Sequence, residues 1–175
     1  NSDVSRINAN FIKTLGEPLK DGITVLLFAM VDFHPTYGLT LKISDIDPSF
    51  TLGELEREKQ ESIQKLKSEG IFSLNKTKHL PLLPKRIAII SVESSKGYSD
   101  FIQVIQKNQW NYQFETFLFP AILQGDNAAP TIIAQLKRIQ KVIHHFDVVA
   151  IIRGGGGDVG LSCYNNYRLA REIAL

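Results

Sequence analysis

The stretch that most limits what this chain can fold into is residues 146–157, FDVVAIIRGGGG. Val148, Val149, Ala150, Ile151 and Ile152 form an unbroken apolar run, short for a helix and rich in β-branched residues. Such a run predicts a strand buried on both faces of a parallel sheet. It ends in Arg153 and four consecutive glycines, Gly154, Gly155, Gly156 and Gly157. Glycines strip the side chains from the strand end, so the backbone can take positive φ or approach a ligand. Open α/β sheets bind ligands at the carboxyl ends of their strands. A guanidinium placed there, beside bare backbone N–H groups, suits a phosphate or another anion. The competing reading is a tight glycine turn with Arg153 in a structural ion pair.

The residues before and after this stretch repeat its logic. Residues 86–92, RIAIISV, predict a buried strand, and 98–107 a helix with Phe101, Ile102, Val104 and Ile105 as its apolar positions. Residues 113–119 predict a second strand closed by Pro120, and 128–145 a helix with Pro130 in its first turn. The glycine-terminated run is the third strand, and a third helix begins at Leu161. The order βαβαβα with short links predicts an α/β fold, a three-layer core around a parallel sheet with right-handed crossovers.

The first half follows a different pattern. Val4, Ile7, Phe11, Ile12 and Leu15 have helical spacing, with Asp3 as a cap and Gly16 as a stop. Residues 23–33 predict a strand, 34–38 (HPTYG) a hairpin connection, and 39–46 a return strand with one wet face, ended by Pro48. Helix then hairpin is the second half of an OB barrel, a five-stranded fold that often binds single-stranded nucleic acid. His34 and Tyr37 are either base-stacking groups or ordinary turn residues. Residues 51–69 predict a connector helix lying on a surface, with Thr51 and Glu54 as a capping box and a thin stripe of Leu52, Leu55, Ile63 and Leu66. Residues 71–83 read as a linker. Lys76, Lys78, Lys85 and Arg86 are either a phosphate-contacting cluster or a solvated run.

Composition narrows the function classes only a little. A hydrophobic fraction of 43% supports a real core, and the net charge of +2 neither requires nor excludes a nucleic-acid partner. The single cysteine, Cys163, rules out an internal disulfide and fits a reducing, cytoplasmic setting; it reads as a packed thiol. No apolar run reaches the length of a membrane span, so no membrane partner is expected. The chain starts at Asn1 and stops at Leu175 inside an expected helix, which suggests a piece of a longer protein.

In a parallel sheet the carboxyl ends of the strands share one edge. Three clusters are therefore expected to meet: Ser94, Ser95, Lys96 and Asp100; Gln124, Gly125 and Asp126; and Arg153 with Asp158, Asn165 and Asn166. Ser94 and Ser95 are either helix caps or phosphate donors. Asp100 is either a site carboxylate or a residue favoured by the helix dipole. The glycines lack the G-x-G-x-x-G pattern and any Walker lysine, which disfavours a dinucleotide site. Asp100, Asp126 and Asp158 are the candidates for gathering Mg2+, but spacing alone does not bring them together, and no cofactor is assigned. From the residues alone, a non-catalytic nucleic-acid-binding module and a nucleotide-phosphate-binding α/β domain both remain open.

The segments LPLLPKRIAIISVESSKGYSDFIQVI, FPAILQGDNAAPTIIAQLKRI and FDVVAIIRGGGGDVGLSCYNNYRLAREIA, in this order, resemble the large subunit of exodeoxyribonuclease VII. The resemblance implies an OB segment at 1–48, a helical connector and linker at 49–80, and the first part of a nuclease core at 81–175. It implies hydrolysis of single-stranded DNA from either end to oligonucleotides, and a small helical subunit as partner, recruited through regions absent here. It implies that Asp100 and Arg153 are catalytic and that Ser94, Ser95, Gly154, Gly155 and Gly156 face phosphate. It also implies activity without an added divalent metal. Two departures stand out. Gly157 replaces a usual serine, and Val159 and Gly160 replace an acidic pair. The family's Gly-His-x-x-Asp motif is absent, so the 175-residue chain is expected to be inactive by itself.

Overall fold

A computed structural model describes residues 2–16, 18–19, 23–155 and 159–175. Helix α1 (Ser2–Leu15) follows the expected spacing: Ile7, Phe11 and Leu15 are buried, and Gly16 ends the helix at φ +74°. Strands β1 (Leu26–His34) and β2 (Gly38–Asp47) pair antiparallel, with the register shifting between Phe28 and Ala29. α1 packs against the base of this hairpin through Ile46, with Ile23, Val25 and Leu55 around it. The rest of the ribbon is apolar and open, with Met30, Val31, Phe33, Leu39 and Leu41 all exposed.

Helix α2 (Pro48–Ser68) starts three residues before the expected point. Asp47, not Thr51, is its cap, and its carboxylate accepts from the Ser49 amide at 2.9 Å. The reason is Pro48. It cannot donate to a sheet ladder but suits a first helical position, so it ends β2 and begins α2 in one step. Thr51 is buried, and its hydroxyl donates to Thr24 O at 3.0 Å, tying the helix to the hairpin segment. At its other end α2 grips the core. Ser62 Oγ donates to Asn165 O at 2.6 Å, and Glu69 accepts from the Tyr167 hydroxyl and from Arg171 Nε. It is a surface connector, as its thin apolar stripe predicts, but one fastened at both ends.

The core contains β3 (Arg86–Ser91), α3 (Lys96–Gln106), β4 (Glu115–Pro120), α4 (Ala128–Gln140), β5 (Val148–Ile151) and α5 (Tyr167–Ala174). The three strands are parallel in the order β4-β3-β5, flanked by helices. The expected βαβαβα order is present. Its central strand is β3, whose Ile87, Ala88, Ile89, Ile90 and Ser91 are buried. β5, expected to be buried on both faces, is half-buried, because among the described residues it pairs on one side only. Ile90, Leu123, Ala128, Ile132, Ile139 and Leu169 form the main apolar cluster between sheet and helices.

Two helix expectations are corrected. α4 ends at Gln140 and is followed by a 3-10 turn, Ile143–His145, rather than running to residue 145. The last helix begins at Tyr167, after a 3-10 segment Val159–Asn165. Asn166 sets that boundary by accepting from the Leu169 amide at 3.2 Å, the usual work of an N-cap side chain.

Candidate active site at the carboxyl edge of the sheet

The carboxyl edge is built around Ser91, the last residue of β3 and fully buried. Its hydroxyl donates to Ile152 O at 2.7 Å, its carbonyl accepts from the Ala121 amide at 3.1 Å, and Ile152 N donates to Ile90 O at 3.0 Å. One residue thus joins the ends of all three strands. The step after Ile152 is Arg153, so the bond to Ser91 fixes where the guanidinium leaves the sheet.

Helix α3 closes the edge from the other side. Ser95 caps it by accepting from the Tyr98 amide at 3.2 Å, and Ser95 Oγ lies 3.5 Å from Ser91 Oγ. Gly97, in the first turn, rests on the Arg153–Gly154 peptide. A Cβ there would lie 2.9 Å from Arg153 C, Arg153 O and Gly154 N. Real Cβ atoms do not approach backbone that closely, so only glycine permits this contact. The sequence does not disclose the role of Gly97, which stands just before the helix expected at 98–107 and enters α3 only in the structure.

Arg153 is half-buried, and its Nε is enclosed without a hydrogen-bond partner among the described residues. Gly154 and Gly155 behave unlike the tight turn that the glycine run suggested. Neither takes positive φ, and among the described residues a Cβ on either would meet no atom within 4 Å. The space beside this backbone is open to an incoming group. Gly156, Gly157 and Asp158 lie outside the described residues.

Asp100 is exposed on α3, three residues after Gly97 and therefore near the same helix face. It stands at the fifth helical position, past the first turn where a helix dipole favours a carboxylate. Among the described residues no ion pair joins Asp100 to Arg153. Ser94 is exposed in the loop before α3. Gly125 has φ +72°, which a turn residue would need, and its neighbours Gln124 and Asp126 line a separate cleft of about 400 Å³ against α2. Among the described residues no group of three His, Cys, Asp or Glu side chains is arranged to hold a metal ion.

Cys163 packs with its Sγ 3.9 Å from Leu123 O. Burial pushes its thiol pKa up, and the Arg153 charge only partly opposes this. It packs as a partly buried thiol. Two of the four basic residues of the linker cluster have partners within the chain. Arg86 pairs with Asp147 at 2.8 Å at the amino end of the sheet, and Lys78 Nζ donates to Leu175 O at 2.9 Å. His34 and Tyr37 stack on each other at 4.8 Å in the hairpin turn.

Fold and site together define an α/β domain whose candidate site is a strand-end arginine on the carboxyl edge of a parallel sheet, joined by a helical strut to a β-hairpin segment. Residues 71–175 match the family model "Exonuclease VII, large subunit". Over 156 residues the chain is 33% identical to the exodeoxyribonuclease 7 large subunit of Campylobacter fetus, covering 89% of this chain and 39% of that one. It is 34% identical to that of Lactobacillus gasseri over 175 residues, covering 98% of this chain and 38% of the relative. For the Deinococcus radiodurans protein the identity is 29% over 163 residues. The chain belongs to the exonuclease VII large subunit family. It spans about two fifths of the length of these curated relatives.

Proposed function

We propose that this chain is the part of an exodeoxyribonuclease large subunit that binds the phosphate of single-stranded DNA during phosphodiester hydrolysis from either end. The observation that carries the reading is Arg153. It leaves the sheet beside open glycine backbone, in a position held by Ser91 from within and Gly97 from α3. A guanidinium held in place costs little reorganisation when charge develops on a phosphate oxygen, which is how such a group lowers a barrier. Amides of Gly154, Gly155 and Gly156 and the hydroxyls of Ser94 and Ser95 are the accompanying donors. Asp100 supplies an exposed carboxylate on α3 that would orient water, hold Arg153 or bind a metal.

The division into an OB segment (1–48), a connector (49–80) and a nuclease part (81–175) belongs to the same reading. It is supported by the open apolar hairpin and by α2 fastened at both ends. The small subunit is a partner proposed on family membership. Among the described residues no helix is long and apolar enough to cross a membrane. On this reading the 175-residue chain binds single-stranded DNA without cutting it.

The test is equilibrium binding of oligo(dT) across a salt series, beside binding of a mononucleotide. Phosphate-backbone contacts make log affinity fall steeply with log salt, and a longer strand binds tighter than a monomer. Equal affinity for mononucleotide and oligomer would point instead to a nucleotide site.

A further inference from the structure

Among the described residues, two partly buried side chains carry an enclosed polar atom with no hydrogen-bond partner: Nε of Arg153 and the phenol oxygen of Tyr164. They belong to one corner of the molecule. Arg153 follows β5, Tyr164 sits in the 3-10 segment before α5, and both Tyr164 and Ile151 of β5 pack against the cluster containing Leu123. The two groups sense each other. Burial pushes the Tyr164 phenol pKa up, and the positive charge of Arg153 pulls against that.

A buried polar atom left unpaired costs about 1–3 kcal/mol, and native interiors carry few of them. Here two such atoms occur, and each lacks what the other could supply. The Nε–H of arginine only donates, and a phenol oxygen accepts. A guanidinium that meets phosphate through its two outer nitrogens leaves Nε on the inner side, facing the protein.

We propose that Tyr164 is a positioning residue for Arg153: its phenol oxygen accepts the Nε–H bond when a phosphate engages the outer edge of the guanidinium. This rests on the reading of Arg153 as the phosphate-binding arginine. The bond removes both unpaired atoms at once and holds the guanidinium plane toward the ligand. Being enclosed, it is stronger than the same bond in water.

The experiment uses inorganic phosphate as the probe, at constant ionic strength, on the 175-residue chain and on Tyr164→Phe and Arg153→Ala. The unsubstituted chain gains thermal stability with phosphate, and Arg153→Ala gains none. Tyr164→Phe gains less, corresponding to about five- to tenfold weaker phosphate binding. Without phosphate its Tm equals or exceeds that of the unsubstituted chain, because a buried unpaired hydroxyl has been removed. The second readout is the Arg153 Nε–H resonance, which shifts and slows its exchange when phosphate is added to the unsubstituted chain and does neither in Tyr164→Phe.

A phosphate response in Tyr164→Phe equal to that of the unsubstituted chain overturns the proposal while leaving the Arg153 reading intact. So does a loss of Tm in Tyr164→Phe without phosphate, which would mark the hydroxyl as structural. No phosphate response in the unsubstituted chain overturns the Arg153 reading and the Tyr164 role with it.

Discussion

Gly97 lies directly on the peptide that joins Arg153 to Gly154: a Cβ at Gly97 would stand 2.9 Å from three of its backbone atoms. The first turn of α3 therefore acts as a backstop for the strand end that carries the candidate arginine. A glycine on a helix costs some stability, and here the contact explains why it is tolerated.

Gly97→Ala tests the backstop. Either α3 or the end of β5 must move, so the variant is expected to lose about 1–3 kcal/mol in urea unfolding. Phosphate binding should weaken in parallel. Gly155→Ala, whose Cβ would meet nothing within 4 Å, should unfold within about 0.5 kcal/mol of the parent.

Ser91→Ala removes the hydroxyl that holds Ile152 O at 2.7 Å. The bond is buried, so its loss is expected to cost about 1–3 kcal/mol by chemical denaturation. Amide exchange should quicken first at residues 152–155, next to the broken link.

Asp147 gives a pH signature at the opposite end of the sheet. Its carboxylate accepts from Arg86 Nη2 and from the Arg86 and Lys85 amides, which lowers its pKa from 3.8 to about 2. A carboxylate depressed in the folded state stabilises above its unfolded pKa, and that contribution fades as pH falls through the folded one. The parent chain should lose stability between about pH 4 and pH 2. Asp147→Asn should be less stable at neutral pH and flatter across that window, as read by thermal unfolding at each pH.

Cys163 should resist alkylation. Burial raises its pKa and keeps the thiol protonated at neutral pH. Iodoacetamide is expected to react far more slowly with the folded chain than with the chain in urea, as followed by mass spectrometry.

Much of the fold is legible in local pattern, and the limits of that legibility are physical. The apolar runs at 86–91 and 148–152 announce strands because β-branched residues crowd them. Periodicity does not say which strand is central, so β5 looks as buried as β3 until the pairing order is known. Thr51 and Glu54 imitate a capping box, and the true start, Asp47–Pro48, is hidden in what reads as the end of a strand. The asparagine at 166 stops one helix pattern and starts another, a choice that depends on where its side chain turns. Within the site, Arg153 stands out because glycines isolate it. Gly97 and Tyr164 do not, because their meaning lies in what they touch or fail to touch across the fold.

The central claim is that Arg153 binds and stabilises the reacting phosphate. The most direct measurement is single-stranded DNA hydrolysis by the complete large subunit with its small subunit, comparing parent, Arg153→Ala and Arg153→Lys, each checked for fold by circular dichroism. Loss of the guanidinium is expected to lower kcat by about 10²–10³-fold in Arg153→Ala. Arg153→Lys should recover only part of that, since a point charge does not reproduce the planar two-pronged contact. A folded Arg153→Ala enzyme that cuts within a fewfold of the parent rate would contradict the account.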